Sequence, residues 1–310
     1  MGLAAVTVLV FCMYRLLSRR SFKTRYNILM LAANIIYRLW RSGRHKLKCN
    51  LALIVPSLNK IELEAAAREV VRTIVRDWAA LLGANQTEPS DSAQLMDIQG
   101  VEKILAHVHV SDGRVVADKV VIAPIHMGSF GAAMDAVSLF QVPAYGPAER
   151  ITPGYLLNLM MRLRSNRFLK MEPLERGKTY AKMVRRMSCG WAIAVMVDML
   201  SRRMDRGVVC RVGGARGRFE TGAVRLAVEH GAKIFPAFVL WTGEKYRIVV
   251  EDQFEPVLTG DTARDIEVNT RRLIEERVAP WIEKYPGQWM QALWANLEPA
   301  RDVAQERSRA

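Results

Sequence analysis

Apolar residues recur at helical spacing through Val70, Val71, Ile74, Val75, Trp78, Leu81 and Leu82, which predicts an amphipathic helix. Asn59 followed three residues later by Glu62 marks its start as a capping box, and Gly83 marks its end. Residues 85–92, with Thr, Pro, Ser and Asp in succession, read as a loop. From about Val101 the pattern changes to short apolar runs, and those at 115–123, 191–197, 233–240 and 246–250 predict strands. Helical patterns at 131–140, 155–167, 179–187 and 221–230 lie between them. That alternation predicts the α/β fold class, with a mostly parallel or mixed central sheet flanked by helices.

The N-terminal region follows a different pattern. Residues 2–14 are uncharged and mostly apolar, a run that as a helix is roughly 20 Å long, short of the ~30 Å core of a bilayer. Arg15, Arg19, Arg20, Lys23 and Arg25 follow it, whereas a secretory signal carries its positive charges first, so the run reads as an anchor. A second segment, 28–40, suits a membrane interface, with Tyr37, Arg38, Trp40 and Arg41 placed for headgroups. Three parts are expected: membrane-associating helices over 1–45, an α/β domain over 46–300 and a polar tail over 301–310. The competing reading makes both N-terminal segments ordinary core helices.

Composition narrows the partners. Against 31 Asp and Glu stand 45 Lys and Arg, a net charge of +14 that suits a polyanionic surface such as anionic lipid headgroups or a phosphorylated substrate. Nucleic acid is disfavoured: the Arg- and Gly-rich stretch 202–218 lacks the interleaved aromatics of a base-stacking surface. Cys12, Cys49, Cys189 and Cys210 are scattered, which fits reduced thiols facing the cytosol and no structural zinc. His107 and His109 share a strand face but have no completing ligands, so no metal is expected. Gly177-Lys178-Thr179 imitates the end of a phosphate loop, but Glu172 stands where that loop needs glycine.

In such a sheet, chemistry gathers at the carboxyl ends of strands. His126 stands just past an apolar strand, in Pro-Ile-His-Met-Gly-Ser-Phe-Gly, where a neutral imidazole can take a proton from a hydroxyl and Gly128 permits close approach. Asp198 is the first charged residue after the run 191–197.

The segment from His126 through Gly128, Ser129 and Phe130 to Gly131 resembles the HxGNWE version of the HX4D/E motif of the bacterial lipid A biosynthesis acyltransferases, in the lysophospholipid acyltransferase group. Asn50-Leu51 with Pro56, Val197-Asp198, the stretch from Phe219 through Thr221 to Pro236, and Pro286-Gly-Gln-Trp289 resemble further family segments in the same order. The resemblance implies transfer of an acyl group from an acyl-carrier-protein or coenzyme A thioester to a hydroxyl, usually of a lipid, while departures from the family pattern open a specialised metabolite or an amine as acceptor. It places the protein on an anionic membrane surface, at the cytoplasmic face of the bacterial inner membrane, and implies no cofactor. His126 is then the general base and Asp198 its support. Arg164 would bind a phosphate or the developing negative charge, with Arg162 and Arg167 as close rivals and Gly128, Ser129 and Thr221 as further substrate-side candidates, although Thr221 at a helix start reads more readily as a cap.

Two departures stand out. Gly131 replaces the acid that ends the motif, and Gln291-Ala292-Leu293-Trp294 replaces the family's usual His and Arg after Trp289. Asp198, on a neighbouring strand end, is the expected substitute partner for His126, whereas Asp135 points away along its helix. The alternative is a catalytically inactive lipid-binding or scaffold homologue.

Overall fold

The computed structural model describes residues 14–83, 95–150, 154–201 and 206–300. The apolar run 2–14 (but for Tyr14), the loop 85–92, part of the stretch 202–218 and the tail 301–310 lie outside them.

Residues 14–17 are helical, and three helices follow: α1 (Phe22–Leu39), α2 (Arg41–Ile54) and α3 (Lys60–Leu81). Asn59 Oδ1 accepts from the Ile61 and Glu62 amides, and Glu62 Oε2 accepts from the Asn59 amide at 2.9 Å, so the capping box is complete. There follow β1 (Met96–Gln99), α4 (Val101–Leu105), the hairpin β2 (Val108–Ser111) and β3 (Arg114–Ala117), β4 (Val120–Pro124), α5 (Phe130–Phe140), β5 (Ala144–Ala148), α6 (Gly154–Leu163), β6 (Leu169–Pro173), α7 (Thr179–Ser188) and β7 (Ala192–Ala194). The second half carries β8 (Val208–Val212), β9 (Ala215–Phe219), α8 (Gly222–His230), β10 (Lys233–Trp241) and β11 (Tyr246–Val250). After α9 (Thr262–Arg272) and α10 (Ala279–Lys284), two 3₁₀ turns, Pro286–Gln288 and Met290–Leu293, precede β12 (Glu298–Pro299).

The main sheet has the order β1-β11-β10-β4-β7-β5-β6 and is parallel except at the β10–β11 pair. This is the α/β class, in its mixed form. One core joins Val121, Ala123, Tyr145 and Ile193 to α2, the first half of α3, α7 and α8. A second joins Val120, Ala144 and Ala192 to α5, α6 and the end of α3. Helix α3 therefore passes from one face of the sheet to the other.

The apolar run 115–123 is not one strand. Lys119 has φ +50°, and this left-handed residue breaks the run into β3, paired with β2, and β4, paired with β10 and β7. Of the run 191–197 only Ala192–Ala194 is a named strand, although the Val195 and Val197 amides still donate to the Ile122 and Pro124 carbonyls at 3.0 Å.

Helix α1 lies on α3: Arg25 Nε donates to the Ala79 carbonyl at 2.7 Å, and Tyr37 Oη donates to Glu64 at 3.1 Å. Its other side leaves Ile28, Leu31, Ile35, Ile36, Leu39 and the adjoining Trp40 exposed. Among the described residues no helix is long and apolar enough to cross a membrane.

Candidate active site

Strand β4 ends at Pro124 between β10 and β7, and the chain then makes a tight turn through His126. The C-terminal 3₁₀ segment closes over that turn: the Met290 amide donates to His126 O at 2.8 Å and the Gly128 amide to Gln288 O at 3.1 Å. Gln288 in turn pairs its side-chain amide with both backbone groups of Trp241 at the end of β10, at 2.8 and 3.0 Å. Asn50 on α2 donates to the Ala292 and Ala295 carbonyls and fixes the same segment from behind. Several segments that carry the family resemblance thus meet at the carboxyl end of the sheet and build one rigid seat for the histidine.

Asp198, wholly buried, faces His126 from the neighbouring strand end. Its Oδ1 accepts from His126 Nδ1 at 2.8 Å, while Oδ2 accepts from the His126 backbone amide and from Trp289 Nε1, each at 2.8 Å. Three donors satisfy a carboxylate that would otherwise be costly to bury. The His126 side chain keeps 27% of its surface against 0% for Asp198, so the ring presents an edge outward while its partner is sealed in. The Gln291 amide lies 3.2 Å from Nδ1, on the same inner side. With Nδ1 committed to Asp198, Nε2 is the nitrogen left to act on a ligand. Burial lowers the imidazole pKa, but the charge and hydrogen bond of Asp198, with a smaller contribution from Asp77, outweigh it and leave the value raised.

The other sequence candidates divide. Gly128 has φ +63°, and a Cβ there would stand 2.2 Å from the Val239 carbonyl oxygen, so the residue is required to fit the turn against β10. Ser129 is fully buried; its hydroxyl accepts from the Ala132 amide as the N-cap of α5 and donates to Asp77 Oδ1 at 3.1 Å. Both build the site from within. Thr221 heads α8, but its side chain makes no capping hydrogen bond. Arg164 stands beyond the end of α6 with its guanidinium 5.9 Å from the Phe130 ring and its buried Nε without a hydrogen-bond partner. Burial lowers its pKa against the opposing pull of Asp77 and Glu149. Asp135 lies farther along α5, where its charge acts on Arg25.

Sequence reasoning overlooked Asp77. It lies on α3 and accepts from the Gly131 amide at 2.9 Å as well as from Ser129. The available signal was a carboxylate three residues after Ile74 and four before Leu81, on the apolar stripe itself. Among the described residues no cluster of His, Cys, Asp and Glu could hold a metal.

This arrangement lies inside a family match that covers nearly the whole chain. Residues 3–295 match the model of the bacterial lipid A biosynthesis acyltransferases, and the chain belongs to that family. It is also similar to the phosphatidylinositol mannoside acyltransferase of Mycolicibacterium smegmatis (strain ATCC 700084 / mc(2)155), with 23% identity over 275 residues, 86% of this chain and 84% of that protein. The protein is an acyltransferase of lipid metabolism, with an acyl donor and a lipid acceptor.

Proposed function

We propose that the protein transfers a fatty acyl group from an acyl-carrier-protein or coenzyme A thioester to a hydroxyl, or an amine, of a lipid or specialised metabolite, with His126 as general base. The observation that carries this reading is the 2.8 Å bond from His126 Nδ1 to the buried Asp198, which fixes the tautomer and leaves Nε2 unprotonated. The acceptor hydroxyl gives its proton to Nε2 as its oxygen bonds to the thioester carbonyl carbon. Asp198 stabilises the imidazolium. The tetrahedral oxyanion then collapses, the carbon–sulfur bond breaks, and the leaving thiolate takes the proton back from Nε2. Arg164 is the cation suited to the oxyanion or to an acceptor phosphate.

A membrane surface supplies the lipid acceptor in this reading, at the cytoplasmic face of the inner membrane. The exposed row Ile28, Leu31, Ile35 and Leu39 repeats at spacings of three and four, with Arg38 and Arg41 beside its end, as an interfacial helix requires. Phe22, at the start of α1, packs 6.4 Å from Trp241 and 6.2 Å from Tyr246, so α1 begins at the same end of the sheet as His126. The reading is tested by mass spectrometry of lipids and small metabolites from cells with and without the gene, complemented by wild type or by His126→Ala. An acylated species that disappears with the gene and returns only with wild type supports it. An unchanged profile overturns it.

A further inference from the structure

At position 131, where the motif acid is missing, a side chain would be tightly packed. A Cβ on Gly131 would lie 3.0 Å from the Ala80 Cβ and 3.1 Å from the Leu81 backbone nitrogen, so α3 is packed directly on the first turn of α5. One turn back along the same helix, Asp77 sends its carboxylate to that spot and takes up the Gly131 amide at 2.9 Å and the Ser129 hydroxyl at 3.1 Å. The groups around it are those of the site. Burial lowers the pKa of Arg164, whose buried Nε has no partner, and the Asp77 charge is the larger of the two that oppose it. Tyr246, 2% exposed, brings its hydroxyl from β11, and it too feels the Asp77 charge. His126 feels that charge across the turn.

We propose that Asp77 is the relocated acid of the motif: a positioning residue, delivered by α3, that pins the turn from His126 to Gly131 and holds the Arg164 guanidinium toward the reacting acyl group. The proposal rests on the acyl-transfer reading. It explains how the chain dispenses with the acid five residues after the histidine: α3 packs closely on that position and supplies a carboxylate in its place. A capping role alone would be met by any acceptor of the same shape. The proposal requires the negative charge, because a neutral amide does not balance Arg164 and adds nothing to the support that Asp198 gives the imidazolium.

Asp77→Asn separates the two roles, since its amide oxygen can still accept from Gly131 and Ser129. In the full-length protein it is expected to stay folded, with kcat lowered about 100-fold and the acceptor KM little changed. The His126 pKa, followed by NMR on isotope-labelled histidine and assigned with His126→Ala, should fall. The groups that set it are Asp198 after β7, Asp77 on α3 and Arg164 after α6, and only Asp77 changes. Arg164→Gln should cost a similar factor, and the double variant no more than either single one. Wild-type kcat and an unmoved His126 titration in folded Asp77→Asn overturn the proposal, as do losses that multiply in the double variant. If His126→Ala keeps full turnover, the acyl-transfer mechanism fails first. The titration still reports on Asp77 if no donor supports turnover, and an unmoved value then overturns the proposal by itself.

Discussion

Trp289 and Asp198 are joined by a 2.8 Å hydrogen bond from the indole Nε1 to the carboxylate Oδ2, in a place where both side chains are wholly buried. The bond ties the C-terminal 3₁₀ segment to the strand end that serves the histidine. With the His126 backbone amide on the same oxygen, it orients Oδ1 toward Nδ1. Trp289→Phe should keep an aromatic ring in the core, lose that donor and leave a small cavity. We expect about 1–3 kcal/mol of lost stability in denaturant melts and a fall in kcat, with the acceptor KM nearly unchanged.

Asp198→Asn is more severe. The amide nitrogen faces at least one of three donors and no longer stabilises an imidazolium, so kcat should fall by about 10³ to 10⁴, close to the loss in His126→Ala. Asp135→Asn, whose charge acts on Arg25, should be mild. Steady-state kinetics on the three variants, with the true acceptor, makes the comparison.

The pH dependence follows from the raised His126 value. Burial works to lower it and the Asp198 carboxylate overrides that effect, so the acid limb of kcat/KM should lie above the ordinary histidine value of about 6.5. In stability, a raised folded pKa means a contribution that is full below about 6.5 and is lost as pH rises through the folded value. Removing the Asp198 charge should move the acid limb to lower pH. A limb that stays in place in Asp198→Asn would show that another group controls it.

Gly131→Glu restores the family motif in sequence but not in space. With Ala80 and the α3 backbone against position 131, we expect a loss of about 1–3 kcal/mol in thermal or chemical unfolding and less activity, not more. A stable, more active Gly131→Glu would mean that α3 yields easily, and that Asp77 is dispensable.

Leu31→Glu and Leu39→Glu alter side chains that are 67% and 77% exposed, so the melting temperature should hold. Affinity for vesicles containing anionic lipid should drop roughly tenfold for each change, from the lost apolar burial. Equal co-sedimentation of both variants with wild type would remove α1 from the membrane reading.

The sequence made local features readable and hid long-range ones. The Asn59–Glu62 capping box involves neighbours in the chain, and the structure shows it complete. His126 and Asp198 were conspicuous because each is the first reactive group after an apolar strand-like run. Strand β5, Ala-Tyr-Gly-Pro-Ala, has the composition of a turn and is a strand because β6 and β7 flank it. Gly128 and Ser129 suggested ligand contact by residue type, but the close approach of β10 and the cap of α5 account for them. Asp77 is separated from Gly131 by more than fifty residues, and only the packing of α3 on α5 brings them together.

The central claim is that His126 activates the acceptor for attack on an acyl donor. Its most direct test is a single-turnover measurement of acyl transfer to the acceptor by purified full-length protein, comparing wild type with His126→Ala after both are shown to be folded. The account predicts transfer by wild type and a rate lower by about 10² to 10⁴ for the variant, in the range that general-base catalysis contributes. A folded His126→Ala protein that transfers the acyl group at the wild-type rate would contradict it.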